Sequence, residues 1–283
     1  AISYTGPEGF PTNSLTFQSS AFSPSVTGGT TFAAMQWRIG EISAPGIPGY
    51  DPSQPRIYEI EDVWTSPEVP IFNASIRVPI AKAGPGRMYR ARVRHKDANG
   101  RWSYWSDPLQ FTPSAPDVTL YQRSLVITEI NYDPLPAGPG EVGYVASDFE
   151  WIELRNISDL PVDATGLRFT KGIDFDFPSG YTIPPGGRVL VVKNLSAFQA
   201  RYGHASDAII AGTFLDGNLN NGGEDLKLSF GAGIPVIHFN YGSSVPWPDL
   251  GKSGRTLVLL SPSTALDPSD PANWRASMTV GGS

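Results

Sequence analysis

Arg90, Arg92 and Arg94 alternate with Tyr89, Ala91 and Val93, and Trp102-Ser103-Tyr104-Trp105-Ser106 follows across the turn dipeptide Asn99-Gly100. Side chains alternate across a strand, so this pattern predicts a guanidinium row on one face and an apolar core face on the other. Asn-Gly tolerates positive φ and favours a hairpin, which brings both tryptophans beside the row. Indole rings stacked between guanidinium planes contribute roughly 0.5–1 kcal/mol per exposed contact. The expected ladder is Arg90, Arg92, Arg94, Trp102 and Trp105, a structural device of a β-sandwich.

The 283 residues suffice for two cores. Gly (30) and Pro (27) form about a fifth of the chain, favouring many short strands joined by turns. Cysteine is absent, which excludes disulfides, thiol nucleophiles and zinc–thiolate sites. The net charge of −6 argues against nucleic acid as a partner. The first 116 residues carry 10 basic and 9 acidic side chains and the rest 11 and 18, so the acidity belongs to the second part. No apolar run is long enough to span a membrane. The chain starts at Ala1 without a signal peptide, so a mature or excised segment of a longer chain with further linked domains is expected.

Residues 1–115 read as one unit. Strands are expected at Leu15–Phe17, Met35–Ile39 with Trp37 inward, Ile57–Ile60, Ala74–Val78 and Tyr89–Arg94, and from Arg101 through Trp105 to Phe111. The Trp-Ser-x-Trp-Ser stretch and Tyr89 at the head of the arginine strand resemble the fibronectin type III domain, specifically the motif of cytokine-receptor modules. That resemblance implies a sandwich in which the motif is structural. Pro113-Ser114-Ala115-Pro116 reads as a stiff linker.

Residues 124–283 read as a second unit. Strands are expected at Val126–Tyr132, Glu150–Asn156, Phe175–Phe177, Val189–Val192, Asp225–Phe230, Val236–Phe239 and Thr256–Leu260. One short helix fits Ser196–Tyr202, with Ser196 near its start and Gly203 ending it. The series Ile127-Thr128-Glu129-Ile130, Glu150-Trp151-Ile152-Glu153-Leu154-Arg155-Asn156, Pro185-Gly186-Gly187, Leu219-Asn220-Asn221-Gly222-Gly223-Glu224 and Gly254-Arg255-Thr256-Leu257 resembles the lamin tail domain of bacterial exported proteins. The resemblance implies an immunoglobulin-like fold without enzymatic activity of its own, set among other modules of a large surface protein.

Chemistry finds little footing. His95, His204 and His238 have no Gly-x-Ser-x-Gly elbow to serve, and no phosphate-binding glycine loop occurs. Glu150 and Glu153 fall on opposite strand faces; Glu129 and Glu153 could approach each other, with surface carboxylates beside Arg155 as the bland alternative. Asp216-Gly217-Asn218-Leu219-Asn220 imitates the start of a calcium loop, but Asn221 and Lys227 replace the Gly and Glu such a loop needs. A hydrogen-bonded turn with Glu224 accepting backbone N–H groups is expected instead, with no metal. Trp64 and Trp151 are the candidate surface for a glycan, while Trp247 and Trp274 read as loop plugs. Asn73, Asn156 and Asn194 head formal glycosylation sequons.

These readings predict an all-β chain of two immunoglobulin-like β-sandwich domains in tandem. They predict no enzyme and no cofactor, but a spacer, adhesion or scaffold segment of an exported or cell-surface bacterial protein with a protein or glycan ligand. A carbohydrate-binding accessory module of a larger enzyme is the alternative.

Overall fold

The computed structural model describes residues 1–23, 30–72, 75–80, 82–231 and 233–282. It divides into two units, Ala1–Asp117 and Val118–Ser283. Both are β-sandwiches.

In the first unit the strands are β1 (Ile2–Tyr4), β2 (Thr16–Ser19), β3 (Phe32–Ile42), β4 (Asp62–Thr65), β5 (Ser75–Arg77), β6 (Met88–Asp97) and β7 (Leu109–Phe111). A three-stranded sheet, β1-β2-β5, faces a four-stranded sheet, β4-β3-β6-β7. Alternation in the middle of β3 and along β6 supplies the core: Met35, Trp37 and Ile39 from one, Tyr89, Ala91 and Val93 from the other, packed with Leu15, Phe17, Val78 and Phe111. The Tyr89 hydroxyl accepts the amide of Gly84 at 2.8 Å, so the one polar atom of this buried ring is satisfied five residues upstream.

Ile57–Ile60 is not a strand. Ile57 makes a single bridge to Ser43, and the chain then turns, with Tyr58 and Ile60 left 61% and 85% exposed. The turn aims Glu59 at the arginines, as described below. Of the strand expected at Ala74–Val78, Ala74 lies outside the described residues, as does the sequon residue Asn73.

The second unit opens with a short helix, α1 (Thr119–Ser124), which runs directly into β8 (Leu125–Asn131). There follow β9 (Trp151–Asn156), β10 (Val162–Asp163), β11 (Leu167–Lys171), β12 (Phe175–Asp176), β13 (Thr182–Ile183), β14 (Arg188–Val192), α2 (Leu195–Tyr202), β15 (Ile210–Thr213), β16 (Gly223–Phe230), β17 (Ile234–Gly242), β18 (Leu257–Leu259) and β19 (Trp274–Ala276). One sheet runs β15-β14-β9-β8-β18-β19 and the other β12-β11-β16-β17, with β10-β13 as a small ribbon. Every residue of β8 is buried, so both faces of the larger sheet's centre are covered. Beyond the sandwich core, α2 lays Phe198 and Tyr202 against Trp151, Leu190 and Val192.

The cap of α2 differs from expectation. Asn194 is the N-cap, its side chain accepting from Ala197 N at 3.2 Å, and Ser196 lies within the first turn. Gly203 ends the helix with φ 72°, a conformation open to glycine at little cost.

Candidate interaction surfaces

The arginine–tryptophan stack forms with a changed membership. Arg94 lies between both indoles, 4.4 Å from the centroid of Trp102 and 4.5 Å from that of Trp105. Lys96 continues the stack beyond Trp102 at 5.3 Å, and Arg38 from β3 closes it beyond Trp105 at 4.7 Å. Arg90 and Arg92, expected as rungs, turn instead to Glu59: Arg90 at 3.2 Å, Arg92 through both Nε and Nη2. Arg90 also bonds Gln110, and Arg92 the carbonyl of Ser106. Burial raises the proton affinity of the Glu59 carboxyl, but hydrogen bonds from Arg92 and Arg90 outweigh it and hold its pKa below the ordinary value. Arg38 also lies 3.5 Å from Glu59, so this carboxylate gathers three arginines, of which Arg38 alone stacks on an indole as well.

Strand alternation alone would split Trp102 and Trp105, three residues apart, between opposite faces. The segment escapes this by winding. Ser103 exchanges two hydrogen bonds with His95, its amide donating to the carbonyl and its Oγ accepting the amide; Ser106 does the same with Val93. Three residues of the motif therefore match two of β6. Two strand residues advance about 6.8 Å, whereas three extended ones would advance about 10 Å, so the chain must coil, and a three-residue period places both indoles on one side. Tyr104, out of that period, is 98% exposed.

The other tryptophans mostly pack. Trp151, proposed from sequence for a glycan surface, is 6% exposed beneath α2, so its ring offers no platform. Trp64 on β4 is half-buried against the first core. Trp274 is a plug: its Nε1 donates to Pro268 O at 2.9 Å and its ring stacks on Phe239.

Glu129 and Glu153 stand directly opposite each other on β8 and β9. Neither is a surface carboxylate, at 3% and 8% exposure, because this sheet face is covered: Gly282 lies against Glu129 and Trp151. Glu129 accepts from the Thr256 hydroxyl and Glu153 from that of Thr128, with Arg188 3.6 Å from Glu153. Asn156 is a buried hub. Its Nδ2 faces the carbonyls of Leu160, Ile183 and Pro184, and its Oδ1 accepts from Ser158. A sequon asparagine so enclosed presents no amide to a glycosylating enzyme.

The 216–224 loop is held from beneath by two carboxylates. Glu150 accepts Leu219 N at 2.8 Å and Glu224 accepts Asn220 N at 2.7 Å. Lys193 Nζ donates to Gly217 O, and the Tyr241 hydroxyl lies 3.0 Å from both Asn220 O and Glu224. Burial pushes the Glu150 pKa up to about 8 against the opposing pull of the Leu219 amide and Lys193. Among the described residues, no group of three His, Cys, Asp or Glu side chains has metal-ligating geometry.

Arg201 on α2 clamps the 135–141 loop. It meets both Glu141 oxygens, at 2.8 and 2.7 Å, and the carbonyls of Leu135 and Pro136, with its guanidinium carbon 3.2 Å from the Phe149 ring centroid. These hydrogen bonds bring the Glu141 pKa down to about 2. No sequence motif marks this residue; the signal is Arg201 in the last turn of the helix, where cations are favoured. The three histidines are dispersed: His95 among Phe22, Phe32 and Phe72, His204 on Asp207 at 2.8 Å, His238 3.7 Å from Asp225. Among the described residues no hydroxyl bonds an imidazole.

No curated protein matches the chain. Of solved structures, red sea bream transglutaminase is similar at 11% identity over 85% of this chain, with a TM-score of 0.19, too low to carry an argument; the chain spans 30% of that enzyme's length. Residues 121–242, which hold the carboxylate-pinned loop, the Arg201 clamp and the Asn156 hub, match the family model of the lamin tail domain, whose immunoglobulin-like fold agrees with the sandwich of the second unit.

Proposed function

We propose that the chain is a non-catalytic structural and interaction segment of a larger exported or surface bacterial protein. One observation carries the reading: the paired carboxylates and the arginine row that the sequence offers as candidates are engaged in holding the sandwiches together. The paired carboxylates Glu129 and Glu153 accept threonine hydroxyls, Glu150 holds a loop amide, and Arg90, Arg92 and Arg94 are stacked or ion-paired. The lamin tail match supports a structural or binding role for the second unit. For the first unit we propose the fibronectin type III class. Support comes from its three-on-four sandwich, the Tyr89–Gly84 bond at the head of β6, a tyrosine-corner geometry, and the wound Trp-Ser-Tyr-Trp-Ser segment.

A glycan array separates this reading from a carbohydrate-binding module. The expected result is no binding by the full chain. Binding that disappears in Trp64→Ala while the fold persists would overturn it in favour of the glycan module. Antibody staining of intact source cells tests the location, and signal appearing only after lysis would contradict export.

A further inference from the structure

A cavity of about 560 Å3 opens in the second unit between Tyr132–Pro136 and Asp249–Lys252. Aliphatic groups of Leu135, Leu250 and the two prolines form its walls. Its polar groups are acidic. Asp133 uses one carboxylate oxygen on Asn221 Nδ2 at 2.6 Å, and Asp249 uses one on Gly251 N at 2.8 Å. The second oxygen of each bonds no described residue. Lys252 also lines the cavity, and it forms no ion pair with either carboxylate among the described residues.

Tyr132 supplies an independent observation. The residue is 1% exposed and lines the cavity, yet its hydroxyl bonds no described residue. Its ring neighbour Tyr241, 5.1 Å away, has its hydroxyl satisfied. The ring is thus enclosed while the hydroxyl faces the cavity, where a ligand or water completes its hydrogen bonding. Burial raises its pKa to about 12, and the charges of Asp133 and Asp249 add to the shift, which places both carboxylates near the hydroxyl.

Resting on the second unit's reading as an interaction module, we propose that this cavity receives the alkyl-cation side chain of a lysine or arginine presented by a partner polypeptide. The methylene stem lies along Leu135, Leu250 and the prolines. The cationic head meets the two free carboxylate oxygens, and the Tyr132 hydroxyl accepts from it. The acidic balance of this part of the chain favours such a partner at longer range.

The test is titration of the isotope-labelled full chain, followed by NMR, with Nα-acetyl-lysine amide, Nα-acetyl-arginine amide and the neutral isostere Nα-acetyl-norleucine amide. Saturable shifts confined to residues 132–136 and 249–252 are expected with the two cations. Affinity should fall at least about tenfold in Asp249→Asn, whose exposed position leaves the remaining spectrum unchanged, and should weaken with added salt. An equal response to norleucine, shifts centred elsewhere, or binding indifferent to Asp249→Asn would each overturn the proposal. Neither turnover nor glycan binding is read by this titration, so its failure is distinct from failure of the broader function.

Discussion

The guanidinium carbon of Arg94 lies 4.5 Å from the ring centroid of Trp105, although the two belong to segments whose hydrogen bonds step at different periods. β6 advances two residues while the Trp-Ser-Tyr-Trp-Ser segment advances three, and the hydroxyls of Ser103 and Ser106 supply the acceptors that coiling removes from the backbone.

Arg94 contacts two rings and Gln36, whereas Arg90 contacts none of the tryptophans. Arg94→Ala should therefore destabilise the first unit by about 1–3 kcal/mol, and Arg90→Ala by less than about 1 kcal/mol. Urea unfolding followed by tryptophan fluorescence measures both; equal losses would show that the stack contributes nothing beyond ion pairing.

Glu150 binds its proton more tightly in the fold than in the unfolded chain, with its pKa pushed up to about 8. The native state then holds more protons than the unfolded state between the ordinary carboxylate range and pH 8. Stability from this group is complete at low pH and is lost as pH rises through about 8. Glu150→Gln, whose carbonyl still accepts the Leu219 amide, should flatten the fall of Tm between pH 5 and 9. A parallel fall in parent and variant would assign the dependence elsewhere.

Arg201 is not replaceable by lysine. An ammonium has no planar fork to meet both Glu141 oxygens and two carbonyls at once. Arg201→Lys should cost about 1.5–3 kcal/mol and open the 135–145 segment to limited proteolysis, read as new cleavage products. An unchanged digestion pattern would show that the clamp is dispensable.

Trp151→Ala should destabilise the second unit by about 3–5 kcal/mol, the range for emptying a buried aromatic site. Thermal unfolding checks this, and a loss under about 1 kcal/mol would contradict the burial beneath α2.

Where one physical rule dominated, the sequence was readable. Alternation on β3 and β6 identified both the core face and the polar face; β9 and β16 followed from the same alternation, and β8 and β14 from their apolar residues. Competition between rules hid the rest. Ile57–Ile60 has strand composition, but the reach of Glu59 to Arg90 and Arg92 bends it away, a long-range demand with no local mark. Two-residue strands such as β10 and β13 exist only through their pairing. Trp151 looked available because a strand has two faces, and only the packing of α2 reveals that the second is covered. Asn194 displaced Ser196 as helix cap because it also donates to Asp148. The cavity beside Tyr132 is assembled from segments more than a hundred residues apart and carries no motif.

Whether the buried carboxylates hold the fold or perform chemistry is tested most directly by assaying the full chain and Glu153→Gln together. Glycan, phosphoester and peptide substrates are offered to both proteins, and their unfolding midpoints are measured alongside. The expected result is no turnover by either protein and a stability lower by about 1–3 kcal/mol in the variant, which weakens the bond from Thr128. Turnover by the parent that vanishes in a variant of unchanged stability would contradict it.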